Sequence, residues 1–256
     1  MAGKGRSESL AALRRRLAGL ERGGRTAGAV LPFGRAAIDT ALPQGGLALG
    51  ALHEVAGSGT DEEDGAAAAA FLAGILGRLG PERPVLWCLA AGDLYGPGLA
   101  ACGLGAERLI VARTQSDRAA LWAMEEGLRS SALAAVVGEV EALPSAASRR
   151  LQLAAEVSGV TAFALRRWRT GERAARQRAA PNAAVTRWRV AALPSGVAGD
   201  TPGIGRPRWR LELWRCRGGM PASWMVEASD ATGHVTLAAE LGHRPAAPAI
   251  RQAIAG

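Results

Sequence analysis

Short apolar runs and amphipathic stretches alternate along the chain from residue 53 to residue 166. The runs GALHEV, PVLWCLA, RLIVAR, LAAVVGEV and VTAFALR end at Gly, Pro or charged residues, a pattern that predicts buried strands. The stretches between them, such as AAAAAFLAGILGRL and SDRAALWAMEEGLRS, have helical periodicity, and Ser116 is the expected N-cap of the second. This alternation predicts a mostly parallel sheet with helices on both faces.

The pattern changes after the last of these strands. Residues 168–186 are polar, Arg-rich and without periodicity, which predicts an irregular segment. A Gly/Pro-rich loop over 195–208 then precedes WRLELWRCR, SWMVEA and HVTLAA, which predict antiparallel strands. We therefore expect an α/β fold in which an antiparallel C-terminal extension completes the sheet. The core is expected to cover 28–243, between an N-terminal tail with a basic amphipathic helix (1–27) and a C-terminal tail (244–256).

Composition argues against a membrane, secreted, disulfide-rich or metal-binding protein. The chain has 256 residues, of which 48% are hydrophobic, enough for one large α/β domain with extensions. No apolar run predicts a membrane span and no signal-peptide pattern occurs, so we expect a cytoplasmic protein. The three cysteines are too widely spaced for a metal site or a disulfide framework and are expected to be reduced. The isolated histidines His53, His234 and His243 are interpreted as ordinary core or surface residues, and no metal site is expected.

Positive charge is concentrated between Arg166 and Arg189, where eight arginines accompany only one acid, Glu172. Arginines on a polar segment can neutralise phosphates, and tryptophans beside them can stack on bases. The alternative is a solvated loop, or a docking surface for an acidic protein. The expected DNA contacts are Arg166, Arg167, Trp168, Arg169, Arg173, Arg176, Arg178 and Arg187.

The sequence GSGTDEEDG, at residues 57–65, joins a predicted strand to a predicted helix. A strand, a Gly-rich loop and a helix in this order are typical of a phosphate-binding loop. Here the loop carries four acids and no lysine. Its carboxylates can satisfy the free amides at the start of the helix and favour the helix dipole. The alternatives are a solvated acidic loop and, less favoured, a metal or nucleotide site. Glu139 and Glu141 share one face of a predicted strand, but no metal partner or nucleophile motif accompanies them, so a catalytic pair is not favoured.

The stretch IDTALPQGGLALGALHEVAG resembles the start of the ATPase core of RecA-family proteins. The segments LPFGRAAIDTALPQGGLALGALHEV, GDLYGPGLAACGL and AAVVGEVEAL resemble the ImuA family, RecA-like proteins of inducible mutagenesis. The resemblance covers residues 28–240 and implies a RecA-like core. It also implies that the Arg-rich segment and strand over 166–189 hold the place of a DNA-binding loop.

The resemblance implies that the groups needed for ATP hydrolysis are missing. The phosphate-loop lysine of RecA-family ATPases matches Glu63 in this sequence. Their water-activating glutamate matches Ala91, and their metal-linked aspartate matches Gly138. A protein without these groups is expected to lack enzymatic activity and to need no cofactor. The positions of the degenerate phosphate loop are Gly57, Gly59, Glu62, Glu63 and Asp64.

The resemblance also implies a function and partners. The implied function is a non-catalytic accessory role in SOS-induced, error-prone translesion DNA synthesis. The implied partners are DNA, an ImuB-like Y-family polymerase homologue, RecA and, indirectly, an error-prone polymerase III alpha-type subunit, with self-association left open and no membrane contact. The alternatives are a SulA-type cell-division inhibitor and a RecA-like ATPase with a displaced site. The expected partner-binding helix presents Leu10, Leu13, Arg14, Arg15, Leu17 and Leu20.

Overall fold

A computed structural model describes residues 28–90, 92–195 and 205–238. A small antiparallel sheet of two strands comes first, formed by β1 (Val30–Leu31) and β2 (Leu47–Ala48). Within the described residues the remaining strands form one sheet of nine. These are β3 (Leu52–Gly57), β4 (Val85–Leu89), β5 (Leu109–Arg113), β6 (Ala135–Val140), β7 (Thr161–Arg166), β8 (Thr186–Leu193), β9 (Arg208–Cys216), β10 (Ala222–Glu227) and β11 (Thr236–Leu237).

The large sheet has the order β11-β10-β9-β8-β3-β7-β6-β4-β5. Strands β3 to β8 pair in parallel, whereas β9, β10 and β11 add to the edge of β8 in antiparallel fashion. The parallel strands β3, β6 and β7 are buried along their whole length, as continuous apolar runs in a doubly covered sheet require. The predicted α/β fold with an antiparallel C-terminal extension is confirmed.

Helices cover both faces of the parallel half. The predicted N-cap of the fourth helix is confirmed, because Ser116 Oγ accepts a hydrogen bond from the amide of Ala119 at 3.2 Å. A π-helical turn (Asp61–Gly65) leads into the second helix, and 3-10 turns occupy Pro43–Gly45 and Ala106–Arg108. The α-helices are α1 (Ala36–Asp39), α2 (Ala66–Arg78), α3 (Gly96–Ala101), α4 (Asp117–Gly127), α5 (Ser145–Ser158) and α6 (Gly171–Ala179).

Helix α6 corrects the prediction of an irregular segment over 168–186. Its first turn is capped by Thr170, whose Oγ1 accepts from the amide of Arg173 at 3.4 Å. Ala174 alone among its residues is buried, packed with Ala56 and Trp168. One buried residue leaves no hydrophobic period in the sequence, which is why the pattern did not reveal the helix.

Two apolar layers lie on opposite faces of the sheet. On one face, α2 packs against β8, β9 and β10, and the rings of Phe71 and Trp209 meet edge to face with centroids 6.5 Å apart. On the other face, α4 and α5 pack against β4, β6 and β7 around Met124 and Leu151. Trp209 is therefore a packing residue, whereas Trp214 on the same strand is 39% exposed.

His53 is fully buried between the two sheets. Its Nε2 lies 2.7 Å from the carbonyl oxygen of Ala48, and its Nδ1 lies 2.7 Å from Thr186 Oγ1. Since a carbonyl oxygen only accepts, Nε2 donates and the neutral ring accepts at Nδ1. Burial lowers the pKa of His53 to about 4 against the opposing effect of Ala48, so the ring is neutral at pH 7.

Because His53 is buried and neutral, we expect the folded chain to be less stable in weak acid. Its pKa in the folded chain, about 4, lies below the ordinary 6.5, so its contribution is present above pH 6.5 and is lost as pH falls toward 4. Urea unfolding at pH 7 and pH 5 is expected to show a decrease of about 2 kcal/mol from this group. An NMR titration that placed the pKa of His53 near 6.5 would contradict this prediction.

Several earlier expectations concern residues outside the described ranges. The amphipathic helix with Leu10, Arg14 and their neighbours, most of the Gly/Pro-rich loop, His243 and the C-terminal tail belong to this group. Cys88, Cys102 and Cys216 are unpaired, and burial raises the pKa of Cys88 to about 11. Among the described residues, no helix combines the length and apolar character needed to cross a membrane.

Candidate functional site

The loop between β3 and α2 binds its own carboxylates. Asp64 Oδ2 accepts from the amide of Gly59 at 2.6 Å, and its Oδ1 accepts from the amide of Ala192 on β8 at 2.8 Å. Glu63 Oε2 accepts from the amide of Thr60 at 2.8 Å and completes a capping box, while Glu62 is exposed. The amides of Gly59 and Thr60, which an anion could use in this loop, therefore already have partners.

The two glycines of this loop have little free space around them. A Cβ atom at Gly57 would lie 2.8 Å from Asp64 Cβ, and one at Gly59 would overlap the Glu63 carboxylate. The hydrogen bonds from Thr60 lower the pKa of Glu63, which keeps this carboxyl ionised at neutral pH. The loop is thus closed around acidic side chains that carry negative charge.

A single guanidinium joins this loop to the ends of neighbouring strands. Arg167 follows β7 and donates to Asp61 Oδ1 from Nε at 2.9 Å, to Asp93 Oδ2 from Nη2 at 2.6 Å and to Glu139 Oε2 from Nη1 at 3.2 Å. Asp61 opens the helical turn before α2, Asp93 follows β4 and Glu139 lies on β6. The carboxyl ends of parallel strands lie at one edge of the sheet, which brings these side chains together. We call these four residues the arginine–carboxylate cluster.

Electrostatics fix the charges in this cluster. Burial lowers the pKa of Arg167, but the hydrogen bonds with Asp61 and Asp93 and the charge of Glu139 outweigh it and raise the pKa above its ordinary value. The hydrogen bond from Arg167 lowers the pKa of Asp93. In the described ranges, no group of His, Cys, Asp and Glu side chains is arranged to hold a metal ion. The cluster is a set of ion pairs in which the cation is an arginine of the chain.

Gly138 and its neighbour Glu139 face opposite sides of the sheet. A Cβ atom at Gly138 would overlap Met124 Sδ on α4, so this position faces a helix and has no room for a carboxylate. Glu139 points the other way, where Trp87 Nε1 and the amide of Ala90 also donate to it at 3.0 and 3.2 Å. The sequence did not single out Asp93; its place directly after a buried strand is the signal that could have identified it. Ala91 lies outside the described residues.

A second group of ion pairs lies under α6. Glu54 on β3 accepts from Arg187 Nε at 3.0 Å and from Arg166 Nη1 at 3.3 Å, and Asn182 Nδ2 donates to it at 2.5 Å. Glu54, Arg166 and Arg187 are each at most 3% exposed. This buried network joins three adjacent strands, β7, β3 and β8, through one carboxylate.

Comparison with known proteins identifies the family. No family model matches the chain. Two curated relatives, both called Protein ImuA and from Caulobacter vibrioides strains NA1000 / CB15N and ATCC 19089 / CIP 103742 / CB 15, are each 42% identical over 219 residues. These matches cover 84% of this chain and 89% of each relative. The chain belongs to the ImuA family.

Solved structures also match this ImuA-family chain, and SulA is among them. SulA from Pseudomonas aeruginosa is 27% identical, with a TM-score of 0.38. The match covers 45% of this chain and 96% of the SulA chain.

The arginine segment of this ImuA-family chain divides into buried and exposed parts. Arg166 and Arg187 belong to the Glu54 network, and Trp168 is 2% exposed. The Trp168 ring lies 5.3 Å from the guanidinium carbons of both Arg166 and Arg178, and its Nε1 donates to a backbone carbonyl. The expectation that Arg166, Trp168 and Arg187 contact DNA is therefore corrected, because their side chains have no free surface to offer.

The remaining arginines of the segment differ in their exposure and in the contacts they make within the chain. Arg167 belongs to the arginine–carboxylate cluster, and Arg178 donates to the carbonyl oxygens of Ser58 and Gly59. Arg173 is exposed and pairs with Glu141 at 2.8 Å. The exposed arginines on and beside α6 are Arg169, Arg173 and Arg176.

Proposed function

We propose that this ImuA-family chain is a non-catalytic accessory protein of SOS-induced, error-prone translesion DNA synthesis. The arginine–carboxylate cluster is the observation that carries the proposal. Its guanidinium and carboxylates fill the space between the β3–α2 loop and the ends of β4 and β6 with ion pairs of the chain's own. Membership of the ImuA family supports a role in the ImuA/ImuB mutagenesis system.

The β3–α2 loop is proposed to be a degenerate phosphate-binding loop. Nucleotide hydrolysis needs a lysine on the β- and γ-phosphates, free loop amides and a carboxylate that positions Mg²⁺. Here Glu63 stands at the lysine position, and Asp64 occupies the amide of Gly59. The charge of Glu63 repels a phosphate, and Arg167 is already engaged by three carboxylates. These features support a protein that acts through binding and not through catalysis.

The proposed partners are those of a mutagenesis complex. They are DNA, an ImuB-like Y-family polymerase homologue, RecA and, indirectly, an error-prone polymerase III alpha-type subunit. DNA contact is assigned to Arg169, Arg173 and Arg176, which are exposed on one short segment. The leucine stripe and arginines of residues 1–27 are proposed to bind a protein partner.

A genetic experiment tests this function directly. The gene is deleted in its host, and the mutation frequency after ultraviolet damage is measured with and without re-expression of the chain. We expect deletion to abolish most induced mutations and the wild-type chain to restore them. Unchanged induced mutagenesis in the deletion strain, with cell filamentation on overexpression, would contradict the proposal and favour a division inhibitor.

A further inference from the structure

The antiparallel extension presents an open face on the side of the sheet opposite α2. Along β9, Trp209, Leu211 and Leu213 point into the core beneath α2. The alternating positions therefore point to the other side. There Arg210 is exposed, and Met225, its partner on β10, is 52% exposed.

A β-bulge shapes this face. The register between β8 and β9 shifts between Arg187 and Trp188, so that Trp214 is an extra residue on β9. The guanidinium carbons of Arg187 and Arg189 lie 4.5 and 4.3 Å from the centre of the Trp214 ring. Arg215, which is exposed, pairs in register with Arg187. The bulge thus gathers arginines around Trp214, a residue that remains 39% exposed.

Arginines outnumber carboxylates on this face, where Glu212 lies opposite Arg189 in register. Within the described residues, Arg189 and Arg215 form no ion pair with a carboxylate, whereas Arg210 pairs with Glu212 at 3.1 Å. Burial, followed by the positive charge of Arg178, lowers the pKa of Arg189, while Glu212 opposes this effect. Positive potential that the chain itself does not balance is the electrostatic signature of a surface for a polyanion.

The open face is continuous with α6. Arg187 donates to the carbonyl oxygens of Arg178 and Ala180, which places the end of α6 against β8. Glu54 and its arginines lie beneath this junction on the same side of the sheet. The exposed arginines of α6 and the arginines of β8 and β9 therefore lie on the same side of the sheet.

We infer that the basic sheet face, formed by Arg189, Arg210, Trp214, Arg215 and Met225, binds single-stranded DNA. The inference rests on the DNA binding proposed above and adds a second contact surface to that of α6. Its arginines would meet phosphates, and the exposed surfaces of Trp214 and Met225 would meet bases. A single strand is favoured because its bases are free for such contacts, whereas a duplex keeps them stacked inside.

Fluorescence anisotropy with a labelled oligo-dT strand tests the inference on the full chain across a salt series. The sheet-face variant carries Arg189→Ser, Arg210→Ser and Arg215→Ser. Its matched control carries Arg118→Ser, Arg129→Ser and Arg149→Ser, three exposed arginines on and beside α4 and α5, of which one, Arg129, is also ion-paired. A third variant removes the α6 arginines through Arg169→Ser, Arg173→Ser and Arg176→Ser. Circular dichroism establishes that each variant is folded.

The sheet-face variant is expected to bind at least about tenfold more weakly than the control, with a log–log salt slope smaller by about 2, at roughly 0.7 per lost phosphate contact. Equal affinities and slopes for the sheet-face and control variants would overturn the inference. If the α6 variant alone weakened binding, the proposed DNA contact would stand without the sheet face. If the wild-type chain did not bind the strand, the result would contradict both the DNA contact proposed for α6 and the contact inferred for the sheet face. Should the triple variant not fold, Arg210→Ser with Arg215→Ser removes only exposed side chains and gives the same comparison.

Discussion

Replacement of Glu54 by glutamine is expected to lower the free energy of unfolding by about 3–5 kcal/mol. Arg166 and Arg187 would then remain buried with a neutral amide in place of the carboxylate that pairs with both of them. The large effect follows because an unpaired buried charge keeps its desolvation cost and loses its compensation. Urea unfolding followed by circular dichroism at pH 7 measures the change.

The matched control for this experiment is Glu141→Gln. Glu141 also binds an arginine, Arg173, at 2.8 Å, but the two side chains are 29% and 53% exposed. Water screens such a pair, so its loss is expected to lower the free energy of unfolding by less than about 1 kcal/mol. Equal effects of the two substitutions would show that the Glu54 network is not a buried, structurally required set of charges.

Replacement of Arg167 by alanine is expected to lower the free energy of unfolding by about 2–4 kcal/mol. Glu139, which is 1% exposed, would lose its cation, although Trp87 and the amide of Ala90 would still donate to it. The control is Arg173→Ala, which removes an exposed arginine with one carboxylate partner. An Arg167 variant as stable as the Arg173 variant would contradict the importance given to the cluster.

The same substitution is expected to change the response to acid. In the wild-type chain the pKa of Asp93 is lowered by Arg167, so the contribution of Asp93 to stability is present above its ordinary pKa and is lost as pH falls through its lowered value. Without Arg167 this pKa returns toward its ordinary value, and this part of the pH dependence disappears. NMR titration of the Asp93 carboxyl carbon in both proteins measures the shift, and an unchanged pKa would contradict the assignment.

The architecture could be predicted because it rests on local patterns. Apolar runs separated by helical stretches predicted the parallel strands β3 to β7, and the change of pattern after them predicted the antiparallel strands. Helix α6 was not predictable in this way, since a single buried residue, Ala174, and a Thr170 cap define it. Its helical structure depends on contacts with Trp168 and Ala56 that no local pattern carries.

The sequence could not show which arginines are buried and which are exposed, for a similar reason. Arg166, Arg167 and Arg169 are near neighbours in a sequence that reads as uniformly basic. Whether each faces solvent depends on carboxylates supplied by distant strands, such as Glu54 on β3 and Glu139 on β6. The density of positive charge identified the arginine segment. Only the fold shows which of its arginines form buried ion pairs and which are exposed.

A non-catalytic role requires that the chain's own side chains occupy the place where a RecA-like ATPase would hold its nucleotide. Isothermal titration calorimetry of the purified full chain with MgATP tests it most directly. We expect no saturable binding up to about 1 mM, a concentration at which even a binding free energy of roughly −4 kcal/mol would be detected. Saturable micromolar binding that is lost when residues 57–65 or Arg167 are changed would contradict it.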